Sequence, residues 1–442
     1  MSGRKSLKGI HVAVDAYNLE LAHGTGIKTY GITLLKALRD LEASVAILSG
    51  RPARRAKGSV FLKEILFHDT HGYRPRASRL SSSFFRARAM LAALRTSFGV
   101  ACQAIQYDRS RYVILGSEEK YYEECNLISL RNCYELGFAV ERLIGKGITI
   151  AAPERIDIWH ATYPLPVTIK GAKKITTVHD LVPFRLPYTT LDDKVRLFKR
   201  HHRAIRESEL VLTVSEASKR DILELFGTHP DKVCVTYQPV SLSVLDEGEE
   251  RSLEQSLKQR FHLQPKNYFL FVGAIEPKKN VKRLIDAFGD LDTDMALVIA
   301  GKRGWLWEQE VAHIERLFGK KSERKVRCLD YVSKDDLRRL YAGAYCFVFP
   351  SLYEGFGLPA VEAMTFGVPV ITSDVSALPE VCGDAALYVD PYDTGSITAR
   401  MEQVMGNADV WNTLSEAGKA RVQMFSMENY TKRLADAYAK IL

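Results

Sequence analysis

Residues 351–371, SLYEGFGLPAVEAMTFGVPVI, constrain the fold more than any other stretch. Phe347, Val348 and Phe349 just before it read as a buried strand. Val368, Val370 and Ile371 read as the next one, reached through Gly367 and Pro369. Between them lie a glycine-rich loop carrying Glu354 and a helix carrying Glu362. Strand, loop, helix and strand in this order build a parallel sheet. A loop at the carboxyl end of a strand, feeding a helix N-terminus, is where α/β proteins bind phosphorylated ligands. The two carboxylates add what a phosphate cradle does not need. A carboxylate accepts two hydroxyl hydrogen bonds at once, which suits a hydroxyl-rich ligand.

The same alternation runs through much of the chain. His11–Ala16 reads as an opening strand, Ile27–Leu38 as a helix and Ser44–Leu48 as a strand. Residues 51–150 hold helix-like pieces without a clean period. Strands are then expected at Ile156–Trp159, Ile175–Val178, Leu210–Val214 and Val233–Thr236, with helices at Leu191–Arg206 and from Ser215 onward. Residues 238–266 are polar, hold the charge run DEGEERSLEQ, and mark a domain boundary. Beyond them, strands at Tyr268–Val272, Ala296–Ala300, Val326–Leu329 and Cys346–Phe349 alternate with helices at Val281–Phe288, Trp305–Phe318, Leu337–Ala342 and Leu358–Thr365. Two helical segments, 395–424 and 428–441, end the chain. A length of 442 residues exceeds one ordinary core. The expectation is an α/β protein with two Rossmann-like domains facing across a cleft.

Charge narrows the partners. Residues 51–97 carry eleven Lys and Arg against Glu64 and Asp69, which equals the net +9 of the whole chain. Arg86 and Arg88 lie among Phe84, Phe85, Met90, Leu91 and Leu94, the pattern of a basic amphipathic helix able to rest on an anionic membrane. Residues 74–95 are therefore a candidate peripheral membrane contact, and a solvated insertion is the plainer alternative. No nucleic-acid recognition motif accompanies the charge, so nucleic acid is not an expected partner. The seven cysteines are scattered without a CxxC pair, which fits reduced thiols and supports neither a zinc site nor a disulfide framework. No apolar run is long enough to span a bilayer, and the first strand does not read as a signal peptide.

Several groups could do chemistry. GTGIKTY, residues 24–30, brings backbone and a helix N-terminus close to a ligand, with Gly26 allowing the approach. It is neither a P-loop nor a GxGxxG, so NTPase and dehydrogenase readings lose their main support. His179 follows a strand, where it can donate to a substrate hydroxyl or act as a base, or be satisfied locally as a cap; Asp180 can orient it. His201-His202 reads as surface. In FVGAIEPKKNVKRLI, residues 271–285, Lys278 and Lys279 sit at a loop–helix junction suited to a diphosphate. Ser373 and Asp374 are weaker candidates for the same pocket. The DTD of residues 292–294 falls at a helix-to-strand turn on the opposite end of the sheet, and reads as turn-forming aspartates rather than a metal site.

Together these pieces resemble the family-4 group of retaining glycosyltransferases, which have the GT-B fold. The stretches that carry the resemblance are GTGIKTY, TVHDLVP, LTVSEASKRDI, FVGAIEPKKN, SLYEGFGLPAVEAM and FGVPVITSDVSALPEVCGDAALYVDP, from about 24 to 391. The resemblance implies an N-terminal acceptor domain (1–245, with a basic insertion near 51–150) and a C-terminal nucleotide-sugar domain (246–425). It further implies a crossover helix (426–442) that packs back on the first. It implies that Glu362 binds ribose hydroxyls, and that Glu354 holds donor-sugar hydroxyls. Gly355, Phe356, Gly357 and Leu358 would offer backbone donors, and Lys279 would bind the diphosphate. His179 would contact the sugar near its 6-hydroxyl, and the loop at Gly26 would close over the phosphate. Many members carry Arg after the glycine of the FVG loop; here Ala274 stands there, and Lys278 can supply the charge. The N-terminal loop often carries Arg before Tyr; here it is Thr29.

The implied reaction is hexosyl transfer, mannose first, from a nucleoside-diphosphate sugar to a glycan or lipid-linked oligosaccharide hydroxyl, with no metal or other cofactor. GDP-mannose is the first donor expected and a UDP-sugar the second. His179, Lys279 and Glu354 are the expected catalytic residues. A cytoplasmic location, with peripheral contact on the inner membrane, fits this reading. A phosphorylase and a non-catalytic sugar-nucleotide sensor are the alternatives from other classes.

Overall fold

The computed structural model describes residues 6–20, 26–51, 64–65, 67–68, 90–91, 100–101, 103–105, 113, 120–302, 304, 307–319, 325–330 and 332–442. Gly24, Thr25 and most of the basic segment 51–97 lie outside the described residues. Of the apolar residues expected on the basic amphipathic helix, Met90 and Leu91 are described, helical and exposed.

The first half contributes β1 (His11–Asp15), β2 (Ser44–Ser49), β3 (Val100–Ala101), β4 (Gln103–Ile105), β5 (Asn126–Ser129), β6 (Ile148–Ala151), β7 (Ile158–Ala161), β8 (Val167–Ile169), β9 (Lys173–Val178), β10 (Leu210–Thr213) and β11 (Val233–Val235). One sheet has the order β11-β10-β9-β7-β1-β2-β5-β4, parallel except at β4. Strands β3, β6 and β8 form a small side sheet. The second half contributes β12 (Tyr268–Val272), β13 (Ala296–Ala300), β14 (Val326–Leu329), β15 (Cys346–Phe349), β16 (Val370–Ser373) and β17 (Ala386–Val389). These pair in parallel in the order β14-β13-β12-β15-β16-β17. Phe269, Leu270, Phe271, Phe347 and Phe349 are fully buried. Such unbroken apolar strands are what a parallel sheet covered on both faces requires.

Each of the two large sheets has a switch point in its parallel strand order, between β1 and β7 in the first and between β12 and β15 in the second. Ligands of open α/β sheets bind beyond the carboxyl ends of the strands at such a switch point. In the second sheet that point carries the loops after Val272 and Phe349, the two stretches richest in candidate residues.

The helices that matter for the site are α1 (Gly26–Asp40), α2 (Cys133–Ile144), α3 (Lys194–Glu207), α4 (Glu216–Phe226), α5 (Val281–Gly289), α6 (Lys334–Gly343), α7 (Leu358–Thr365) and α8 (Met427–Tyr438). Local chemistry moves some boundaries from those expected. Helix α3 starts at Lys194 because the Asp193 carboxylate accepts from Arg196 N–H at 3.1 Å; Leu191 is left outside, 83% exposed. The charge run expected to mark a boundary is helical, over Glu247–Arg251 and Leu253–Phe261. Asp246 and Glu249 close a capping box that starts it. The segment 395–424 breaks at Asn407, whose side chain caps a new helix through Asp409 and Val410 N–H. His201, read as surface, is buried: its Nδ1–H donates to Leu197 O at 2.9 Å, and its ring packs on Phe184 and Phe226.

The last helix returns to the first half. Tyr430 and Tyr438 of α8 are buried there, Tyr430 edge-on to Tyr30 of α1. The Tyr438 hydroxyl lies 2.7 Å from His160 Nδ1, and His160 Nε2 lies 2.8 Å from the Thr177 hydroxyl. Burial pushes the His160 pKa down to about 3, so the ring is neutral and acts as a strut. Each buried aromatic ring contributes about 2 kcal/mol. The chain therefore crosses between the halves at 236–246 and again near 425, where Val240 N–H donates to Phe425 O at 3.1 Å.

Candidate functional site

A cavity of about 590 Å³ opens where the two sheets face each other. The first half supplies Gly26, Ile27, His179 and Asp180; the second supplies Ala274, Lys278 and Lys279 from one loop and Glu354 to Leu358 from the other. Of the residues singled out for this pocket in the sequence, Glu362, Ser373 and Asp374 are not part of its wall.

Lys279 and Glu354 meet in the cavity. Lys279 Nζ is 2.6 Å from Glu354 Oε1, and both side chains are close to nine-tenths buried. The ammonium also sits 4.7 Å from the centre of the Phe349 ring, an attractive position for a cation. Burial alone would raise the Glu354 pKa, but Lys279 and Lys278 more than offset it and hold the carboxyl below its ordinary value. Burial likewise pushes Lys278 down, yet the carboxylates of Glu354, Asp180 and Glu276 outweigh it and hold the ammonium above the usual lysine range. Lys278 Nζ lies 3.6 Å from Glu276. Two cations and one buried anion thus share one corner of the cavity, at the start of α5.

The loop geometry that aims them depends on residues sequence reasoning passed over. Asn280 takes the left-handed conformation, φ 59°, and its Nδ2 donates to Pro350 O at 2.9 Å and Pro391 O at 2.6 Å. That one amide ties the lysine loop to the ends of β15 and β17. Glu354 N–H donates to Ser376 Oγ at 2.9 Å. Asn after two lysines, just before a helix, was the available signal for the first; nothing local marks the second.

Gly355 explains why the two halves approach so closely. A Cβ there would lie 2.6 Å from His179 O and 2.7 Å from Asp180 Cβ. Its carbonyl accepts from Ser215 Oγ at 2.6 Å, a hydroxyl that also caps α4. The Glu380 carboxylate accepts from Glu216 and Ala217 N–H at 2.7 and 3.0 Å, so a carboxylate from the second half sits on the N-terminus of a helix in the first. Phe356 turns its ring onto Phe425, 5.3 Å away, at the second crossing. Gly357 holds φ 92° and caps α7, whose first residues Leu358 and Pro359 line the cavity.

His179 has a fixed tautomer. Nε2 is 2.9 Å from Thr162 O, and a carbonyl only accepts, so Nε2 carries the proton and Nδ1 is the acceptor. Burial lowers its pKa, and the Tyr30 ring stands edge-on at 4.7 Å. The ring cannot offer a second N–H while neutral. Ala274 lines the cavity with Lys278, so no arginine occupies that place.

Glu362 lies one helical turn beyond Leu358 on α7 and is half-buried. It accepts from the Tyr341 hydroxyl at 3.0 Å. Burial raises its pKa to about 7, with Tyr341 pulling it back only in part. Among the described residues, no group of three or more His, Cys, Asp or Glu is placed to hold a metal ion. Asp292 and Asp294 are exposed at the turn before β13.

Two parallel-sheet lobes across such a cleft, with the last helix returning to the first lobe, are the GT-B architecture. A solved structure of Anabaena Alr3699/HepE in complex with UDP and glucose superposes with a TM-score of 0.65 at 15% identity, covering 98% of this chain and 100% of that one. In sequence, residues 253–421 match the glycosyl transferases group 1 model and residues 129–244 the glycosyltransferase family 4 model. The chain is 37% identical over 292 residues to the O-antigen chain mannosyltransferase B of Escherichia coli, covering 64% of this chain and 74% of that protein. It is 28% identical over 289 residues to the serotype-specific mannosyltransferase WbdA of Escherichia coli, covering 64% of this chain but only 35% of that protein. This chain belongs to the family-4 glycosyltransferases. Its reaction class is retaining transfer from a nucleoside-diphosphate sugar to a glycan or lipid acceptor.

Proposed function

We propose that the chain transfers mannose from GDP-mannose to a hydroxyl of a glycan or lipid-linked saccharide. The carrying observation is the buried Lys279–Glu354 pair at 2.6 Å, with Lys278 beside it. A leaving diphosphate develops negative charge. Lys279, Lys278 and the N-termini of α5 and α7 supply fixed positive charge for it in a site shielded from water. Glu354, kept ionised, accepts hydroxyl hydrogen bonds from the sugar, and Glu362 accepts them from the ribose. Gly355 to Leu358 give backbone donors, and the backbone at Gly26 covers the phosphates. His179 offers Nδ1 as an acceptor for a sugar hydroxyl.

Glu354 is engaged by Lys279, Glu276 by Lys278, and Asp180 by Val182 N–H at 3.2 Å. This supports attack by the acceptor on the face the phosphate leaves, without a glycosyl–enzyme intermediate. Residues 1–245 bind the acceptor in this reading, 246–425 the donor, and 426–442 join them. Mannose rests on the mannosyltransferase names of the relatives. UDP-sugars are the second choice of donor. A cytoplasmic setting with membrane contact through residues 74–95 completes the proposal.

The test is calorimetric titration of the whole chain with GDP-mannose, UDP-glucose and UDP-N-acetylglucosamine, followed by anomeric proton NMR of the product. Tight binding of GDP-mannose and an α-linked product support the reading. Preference for a UDP-sugar overturns the donor. Turnover only with a sugar phosphate would make the chain a phosphorylase.

A further inference from the structure

A second concave surface lies away from the cleft, between the end of α2 and the outer face of α3. It encloses about 630 Å³ and is lined by Arg142, Arg196, Phe198, Lys199, His202 and Arg206 among others. Its one carboxylate, Glu141, is already taken by Arg200 at 3.0 Å and by Arg203. Arg142, Lys199 and Arg206 have no ion pair among the described residues. Arg196 pairs with Asp193 at 3.0 Å, so among the described residues the uncompensated charge of the groove is that of Arg142, Lys199 and Arg206.

Apolar side chains flank the same surface. Val195, Phe198, Lys199, His202 and Arg206 follow helical spacing along the outward side of α3, apolar at its start and basic toward its end. Val195 is 63% and Phe198 39% exposed, and Leu191 just ahead of the helix is 83% exposed. Across the groove Leu143 and Ile144 are exposed beside Arg142. A merely solvated helix face has no use for these. Bulky apolar groups beside uncompensated cations suit a partner that is anionic at its surface and apolar beneath.

We propose that this face docks on an anionic phospholipid surface. The cations meet the headgroup phosphates, while Leu191, Val195, Leu143 and Ile144 enter the interface. The segment leading into α3 also borders the cleft: Val182 and Leu186 pack on Leu352 and Tyr353 of the donor loop. Docking would thus hold the cavity's mouth near the membrane, where a lipid-borne acceptor is presented. The surface is distinct from residues 74–95, and its test does not depend on the donor or on catalysis.

The experiment is vesicle flotation of the full chain on pure phosphatidylcholine and on equimolar phosphatidylcholine–phosphatidylglycerol. Each basic residue near an anionic leaflet contributes about fivefold in binding. The Arg142→Glu/Lys199→Glu/Arg206→Glu variant should lose on the order of a hundredfold on anionic vesicles. Leu191→Ser/Val195→Ser should weaken binding at both low and high salt. Both variants should retain sugar-nucleotide affinity, which reports that they fold. Wild-type binding to anionic vesicles that both variants lose, with retained donor affinity, establishes the face. Wild-type binding unchanged by the charge reversal overturns it and shifts the contact elsewhere. Absence of wild-type binding to anionic vesicles at low salt overturns it outright. So does displacement of the protein from vesicles by a soluble acidic polysaccharide at equal charge, which would make the partner a glycan.

Discussion

Replacing Glu362 by Gln separates two properties of one carboxyl group. Burial raises this group from 4.5 to about 7 in the folded chain. Between those values the folded state holds a proton that the unfolded state has released, so stability falls as pH rises from about 4.5 to 7, and is level above. At about 1.4 kcal/mol per unit the loss is at most about 3 kcal/mol. The Tyr341 hydroxyl already recovers part of the cost. Urea denaturation at pH 5 and pH 8 should therefore show the wild type losing up to about 3 kcal/mol more than Glu362→Gln over that interval. Donor binding runs the other way. If ribose hydroxyls donate to the ionised carboxylate, donor affinity falls as pH drops below 7, by up to about tenfold per unit. The variant, which has no charge to titrate, should bind donor more weakly at pH 8 and lose this dependence. Parallel stability curves for the two proteins would falsify the buried-acid argument. A wild-type donor affinity flat through pH 7, and untouched by the substitution, would remove Glu362 from the ribose site.

Lys279→Met should lower kcat/KM on the order of a hundredfold, and should destabilise the fold by leaving Glu354 buried without its partner. The Lys279→Met/Glu354→Gln double variant should regain most of that stability but none of the activity; unchanged kcat and donor affinity in the single variant would remove the role given to Lys279. Gly355→Ala places a methyl 2.6 Å from His179 O, so the lobes must part and transfer should fall at least tenfold while donor binding to the second lobe persists; small-angle scattering identical to wild type together with full activity would contradict it. His160→Phe leaves the buried Tyr438 hydroxyl without its partner, while the Thr177 hydroxyl keeps Tyr30 at 2.9 Å, and should cost about 1–3 kcal/mol, read by thermal melting, with exposure of the C-terminal helix to protease; an unshifted melting temperature would show that the strut carries no load.

The parts legible in the sequence are those set by local pattern. Apolar runs such as YFLFV and FVF could only be buried parallel strands, and the glycine-rich loop after Phe349 could only lie at a sheet's carboxyl end. Two loops so marked, both carrying charge, are the ones that meet in the cavity. What could not be read has non-local causes. The clamp by Asn280 joins segments 70 and 111 positions away, and nothing in PKKN states which carbonyls it will find. His201 looked like surface because its neighbours are basic; its burial follows from Phe184 and Phe226, which only the fold brings to it. The charge run at 246–255 read only as polar sequence at a domain boundary, because composition hides capping; the reciprocal bonds of Asp246 and Glu249 make it helical.

The two glutamates of the motif show why the lobes must meet for the site to work. They are eight residues apart on one loop and helix, yet burial acts on them with opposite outcomes. Glu354 has two lysines within the same pocket and stays ionised; Glu362 has a tyrosine hydroxyl and is pushed up to about 7. The difference comes from the lysine loop, held in place by Asn280 and not by the motif itself. The first lobe completes the arrangement. Asp180 adds to the field that keeps Lys278 charged, and the backbone of His179 lies against Gly355. Separating the lobes would admit water to the Lys279–Glu354 pair and screen the charges of this corner as the cleft opens. In the proposed reaction the fixed charge of this corner therefore acts most strongly on a departing diphosphate when Ser215 reaches the Gly355 carbonyl and Glu380 caps α4, which couples closure to the electrostatics of the site.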